Sequence, residues 1–100
     1  MELPTKGFYC HYKHDPAGEV NNYSYEVLGV ARHTEELTRT VVYRALYENS
    51  YAPPADFSAR PLEMFMESVS IDGKEVPRFT QITDPEIIAK LEAIKKEMYG

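Results

Sequence analysis

The chain has one cysteine, no tryptophan, five glycines and an excess of sixteen acidic over eleven basic residues. It also has no apolar run long enough to cross a bilayer. Each shortage removes a class of protein. Cys10 has no partner for an internal disulfide, which excludes a disulfide scaffold and fits a reduced, cytoplasmic setting. The opening Met1-Glu2-Leu3-Pro4-Thr5-Lys6 has no charged region followed by an apolar signal core, so no secretory leader is expected. A net charge of −5 opposes non-specific attraction to phosphate backbones or anionic lipid, although a local basic patch is compatible with it. A Gly-rich phosphate loop, a zinc ribbon and a Ser-His-Asp signature are also missing, which favours a non-catalytic role.

With 100 residues, 43% of them hydrophobic, the chain can build one modest core and is expected to be a single domain over residues 1–100. Gly7 to Lys13 (GFYCHYK) carries aromatics in a short alternating run and reads as a half-buried strand, followed by a polar loop from His14 to Asn22. From Tyr23 to His33, Tyr23, Tyr25 and Val27 share one face, and Gly29 marks the expected bulge or bend. Thr40 to Tyr47 (TVVYRALY) is β-branched and aromatic, a strand, and Glu48 to Ala59 with its Pro53-Pro54 pair reads as loop. Leu62, Met64 and Met66 alternate with Glu63 and Glu67 and predict another strand. Asp72-Gly73 predicts a tight turn into a strand over Val76 to Ile82 that returns antiparallel to it.

The period then changes. Thr83-Asp84-Pro85-Glu86 offers a capping side chain, a proline preset for the first helical turn and a favourably placed acid. Ile87, Ile88, Leu91, Ile94 and Met98 form one stripe, predicting a helix over residues 84–99 that is part of the core. Each such side chain contributes about 1.5–3 kcal/mol when buried, before ordering costs. The expected architecture is α+β, mainly β: a small, bent, antiparallel barrel of the Src-homology-3-like type over residues 7–82, with about five strands and a C-terminal helix packed on it.

Several blocks carry a resemblance: His11-Tyr12-Lys13, Tyr25 to His33 (YEVLGVARH), Val41 to Tyr47 (VVYRALY), Arg60 to Phe65 (RPLEMF), and Asp72-Gly73 followed by Val76 to Phe79 (VPRF). Together they resemble the bacterial domain of unknown function family numbered 1653. The resemblance implies a small barrel of the Src-homology-3 type and no established activity. Here the loop from His14 to Asn22 is extended, a C-terminal helix is added, and no tryptophan precedes Arg60-Pro61, where Phe57 stands instead.

The side chains suited to recognition are tyrosines and arginines. Tyr9, Tyr12, Tyr23, Tyr25, Tyr43 and Tyr47, with Phe65 and Phe79, either fill the core or line a groove; a phenol offers apolar area plus a hydroxyl handle. Arg32, Arg44, Arg60 and Arg78 either pair across strands with Glu26 or Glu63, or form a pocket for a phosphate or carboxylate. Tyr12, Tyr25, Arg32, His33, Tyr43, Arg44, Arg60 and Glu63 are therefore the candidate ligand-binding residues. Arg44 stands out because it interrupts an apolar strand.

No catalytic residue, metal or cofactor is expected. His11, His14 and His33 lack metal-site spacing, and Cys10 and His11 point to opposite faces of a strand. The leading expectation is a cytoplasmic binding module for a small ligand or a protein. One alternative is a single-stranded nucleic-acid binder that stacks bases on Tyr12, Tyr25 or Tyr43 and sets Lys13, Arg32 and Arg44 against phosphate. The other is a small enzyme using His11, His33 and Glu63 for proton transfer.

Overall fold

The structure is a computed structural model and describes residues 3–47 and 57–100. Seven strands and two helices follow in the order β1 (Gly7–His11), β2 (Ser24–Arg32), β3 (Arg39–Ala45), β4 (Ser58–Pro61), α1 (Leu62–Phe65), β5 (Ser68–Ile71), β6 (Lys74–Pro77), β7 (Phe79–Gln81) and α2 (Pro85–Tyr99). Five strands form one antiparallel sheet in the order β4-β3-β2-β1-β7, while β5 and β6 form a separate hairpin.

The mixed α+β, mainly antiparallel expectation holds, with its C-terminal helix. The closed barrel does not: β4 and β7 end the sheet, and no ladder joins them among the described residues. After Pro61 the chain leaves the sheet for a helical turn, and the next two strands use their hydrogen bonds on each other. The ladders therefore give the Src-homology-3-like assignment no closure to rest on.

Local chemistry accounts for most of the boundaries. The β2–β3 register shifts between Val27 and Gly29, where the bulge was expected, and an extra residue there bends the strand. Asp72 and Gly73 both take positive φ, 51° and 79°, as a two-residue hairpin turn between Ile71 and Lys74 requires. Asp84 caps α2, its side chain accepting from the Glu86 amide at 2.9 Å, with Pro85 in the first turn.

Four expectations are corrected. Residues 62–66 are not a strand: Leu62 and Phe65 turn inward three residues apart on α1, while Met64 and Met66 are exposed. Val76 to Ile82 is not one strand either, because the chain breaks at Arg78; β6 pairs with β5, and β7 crosses to β1 with Phe79 opposite His11. β1 stops at His11, which leaves Tyr12 and Lys13 in a turn. Of the loop expected over residues 48–59, residues 48–56 lie outside the described residues, and Ser58 and Ala59 belong to β4.

Alternation divides the sheet's side chains between two cores. On one face Tyr9, Val27, Val41, Tyr43 and Phe79 pack around Phe65, with Tyr25, Val30 and Leu62 at the margin. On the other, Phe8 and Leu46 meet Leu91, with Ile82, Ile87, Ile88, Ile94 and Tyr99 around them. The helix thus belongs to the core, as its stripe predicts. Tyr99, one position beyond that stripe, also reaches the sheet and donates its hydroxyl to the Ala45 carbonyl.

Candidate functional site

The two faces are chemically different. On the helix side, Glu26 is buried and receives two cations: Arg44 Nε at 2.8 Å on Oε1 and Lys95 Nζ at 2.7 Å on Oε2. The Arg44 guanidinium also lies 3.9 Å from the centre of the Tyr99 ring. The bond to Glu26 raises the Lys95 pKa, and burial raises that of Tyr99. Arg44 interrupts its strand because it ties β3 to β2 and α2. Arg44→Ala should cost about 1–3 kcal/mol in a chemical melt, since Lys95 remains on Glu26 but the ring contact and one charged hydrogen bond disappear. No loss of stability would contradict that role.

On the opposite face the aromatic rings converge with basic side chains. Cross-strand pairing sets Tyr25 beside Tyr9, Tyr43 beside Val27, Arg60 beside Val41 and His11 beside Phe79. The hydroxyls of Tyr25 and Tyr47 are 2.6 Å apart. Burial, reinforced by that hydrogen bond, raises the Tyr25 pKa, and burial raises that of Tyr47. Arg60 Nε donates to the Tyr43 hydroxyl at 3.2 Å, and its guanidinium carbon lies 5.7 Å from the Phe79 ring centre. No carboxylate of the described residues lies within salt-bridge distance of Arg60.

His11 sits edge-on to Phe79 at 5.2 Å, stacks on Tyr23 at 5.8 Å, and has Tyr12 4.3 Å away. Burial, then the charges of Arg78, Lys13 and Arg60, lower its pKa to about 4. Its Nδ1 accepts from the Lys13 amide at 3.2 Å, leaving the neutral ring's proton on Nε2. A ring neutral in the folded protein and protonated in the unfolded one costs stability as pH falls through 6.5 toward about 4. An imidazole NMR titration should place the His11 midpoint near the lower value; a midpoint near 6.5 would contradict the field described here.

Beside it, Arg78 Nη2 holds Glu67 Oε1 at 2.7 Å, while Arg78 Nε is buried without a hydrogen-bond partner. Three cations, Arg60, Arg78 and Lys13, thus act on one ring, with Glu67 as the acid paired among them.

Of the expected site residues, Tyr12, Tyr25, Tyr43 and Arg60 meet at this cluster. Arg44 lies on the helix side. Arg32 and His33 are exposed at the far end of β2, where Arg32 faces Arg39 and His33 Nδ1 accepts from the Glu36 amide at 3.1 Å within a turn. Glu63 is exposed on α1 and lines a cavity of about 430 Å³ with Leu37, Thr38, Arg39, Pro61 and Leu62. Lys13, Arg32 and Arg44 consequently occupy three separate places. His11 and His33 are separated by the length of β2, about 30 Å, so no proton-transfer trio with Glu63 assembles. Among the described residues no three His, Cys, Asp or Glu side chains group as for a metal.

Cys10 is half-buried, and burial raises its pKa. Tyr47, Phe79, His11 and Arg78 join the cluster without being among the eight candidate ligand-binding residues, although Tyr47 and Phe79 stand among the possible groove-lining rings and Arg78 among the possible pocket arginines. Strand parity carries a signal for His11, which shares its face with Tyr9; the pairing of β7 with β1 has none in the local pattern.

The class defined by these features is a small α+β domain with a helix-covered structural face and an aromatic face fringed by arginines. The chain belongs to the family described as protein of unknown function (DUF1653), whose pattern matches residues 7–81. It is similar to the crystal structure of a DUF1653 protein from Bordetella bronchiseptica, with a TM-score of 0.62 and 32% identity over 81% of this chain and 92% of that one. No curated protein matches it. The family match contains β1 to β7 and the whole aromatic cluster, and α2 lies beyond it.

Proposed function

We propose that this domain is a non-catalytic, cytoplasmic binding module whose aromatic face takes a small ligand or a protein segment. The observation that carries the reading is Arg60, a half-buried guanidinium held by the Tyr43 hydroxyl and an aromatic ring, with no acid against it among the described residues. A cation positioned by neutral groups has its charge and remaining donors available to a partner. The half-buried Tyr25 and Tyr47 supply apolar area on the same face, with the buried Phe79 behind Tyr25, the mixture that ligand sites use. Src-homology-3-like curvature of the sheet is part of the same proposal, supported by the bulge between Val27 and Gly29. A small ligand or protein is favoured over single-stranded nucleic acid because the net charge is −5 and Lys13, Arg32 and Arg44, the residues expected to meet a phosphate backbone, lie in three separate places. Among the described residues no helix is long and apolar enough to cross a membrane.

The test is a fragment and peptide screen of the isotope-labelled protein by amide NMR. Hits should move residues of β1, β4 and β7 together with Tyr25 and Tyr43. Hits confined to the helix-covered face, or none from the whole collection, would defeat the reading.

A further inference from the structure

Most of the cluster's positive charge is unspent. Arg60 carries five N–H donors, and the described residues use one of them, on the Tyr43 hydroxyl. Arg78 gives one terminal nitrogen to Glu67 and has a buried Nε with no partner. Leaving a buried guanidinium donor unpaired, as at Arg78 Nε, is costly, whereas Arg60 is half-buried and its remaining donors are not among the buried unpaired atoms. The contact of Arg60 with Phe79 explains how the guanidinium is held in place, but leaves its remaining donors open. In a chain of net charge −5, the charges of Arg78, Lys13 and Arg60 all bear on one uncharged imidazole, and Glu67 is the acid paired with them among the described residues, so those residues give this corner the sign opposite to the whole molecule.

We infer that the ligand of this face is a small molecule with one planar ring and one anionic group, a carboxylate or a phosphate. Arg60 and Arg78 hold the anion, and the ring packs on the half-buried Tyr25 and Tyr47, with the buried Phe79 behind Tyr25. The forked donors of arginine match the two oxygens of either anion. A neutral His11, with its proton on Nε2, adds an uncharged donor and places no further charge at the site. The overall acidity favours a small anion over a polyanion, since a long acidic chain would be repelled beyond this corner. The inference rests on the reading of this face as ligand-binding and adds the chemistry of the ligand.

The probes are phenyl phosphate, benzoate, benzyl alcohol and inorganic phosphate, each titrated into the full-length labelled chain at low salt to about 10 mM, a range that detects weak affinities. The arginine Nε–H and backbone signals are followed. Phenyl phosphate or benzoate should shift the Arg60 and Arg78 Nε–H signals, and the tighter of the two identifies the preferred anion. Benzyl alcohol and inorganic phosphate, each carrying half of the recognised chemistry, should bind at least about tenfold more weakly. Arg60→Gln and, separately, Arg78→Gln should each weaken the ring-anion probe by about tenfold or more, and added salt should weaken it in the wild type.

Benzyl alcohol binding as tightly as phenyl phosphate would overturn the inference while leaving the face a binding surface for rings. Silence from both ring-anion probes, or shifts confined to the helix side, would also overturn it. The broader reading fails separately, when the wider fragment and peptide screen is silent or its hits are confined to the helix-covered face. The wild-type comparison of probes decides the matter even if a variant folds poorly.

Discussion

Phe65→Ala should destabilise the protein by about 3–5 kcal/mol in urea or thermal unfolding, the range for emptying a buried aromatic site. That is a large part of the roughly 5–15 kcal/mol that holds a small domain together. The ring is only 2% exposed and lies parallel to Phe79 at 4.3 Å, with Tyr9 at 5.7 Å and Tyr43 at 5.8 Å around it. It is also the buried residue of α1, a single turn of four residues that has little helical stability of its own. Removing it takes away the apolar contact that seats the segment after β4 on the sheet. A loss below about 1 kcal/mol would mean that the aromatic core is not organised around this residue. The same substitution should loosen Tyr43 and Phe79, and with them the support of Arg60.

Truncation after Thr83 should have the other large effect. It removes Leu91, which is fully buried, together with Ile87, Ile88, Ile94 and Tyr99, and uncovers Phe8 and Leu46. It also takes Lys95 from the buried Glu26. Leucine removal alone is worth about 2–5 kcal/mol, so loss of the helix approaches the whole net stability. The shortened chain should melt without a cooperative transition or associate through its uncovered face. The family pattern ends at residue 81, so a self-sufficient sheet is the competing expectation. A monomeric chain of residues 1–83 with a sharp melting transition would support that expectation and contradict this account.

The parts of the fold that depend on neighbouring residues were legible in the sequence. Asp72-Gly73, the kink near Gly29 and the Asp84-Pro85 start of α2 each follow from backbone preferences of one or two residues. The apolar stripe of α2 likewise announces a buried face. The segment after Pro61 was misleading because Leu62, Met64 and Met66 fit a period of two as well as Leu62 and Phe65 fit a helical turn. In so short a run the choice falls to tertiary packing. The break at Arg78 and the crossing of β7 to β1 depend on a partner about seventy residues away, which no local pattern encodes.

Site residues divide along the same line. Tyr43 and Arg44 are adjacent, and strand alternation is enough to send them to opposite faces. The meeting of Tyr25, Tyr43 and Arg60 needs the register of three strands, one of them beginning inside a segment that reads as loop. Arg32 and His33 look equivalent to Arg44 by sequence block, but Arg32 ends β2 and His33 follows it, far from the cluster.

On the proposed reading of this face, Arg60 is not there to hold the fold, whereas Arg44 on the helix face is. Melting of Arg60→Met beside the wild type tests this most directly. Arg60 contributes one long hydrogen bond, 3.2 Å from its charged guanidinium to a neutral hydroxyl, and a ring contact, and the methionine keeps the apolar stem, so the variant should lose no more than about 2 kcal/mol. A loss as large as that of Phe65→Ala would make Arg60 a structural staple and contradict the assignment of this face to a ligand.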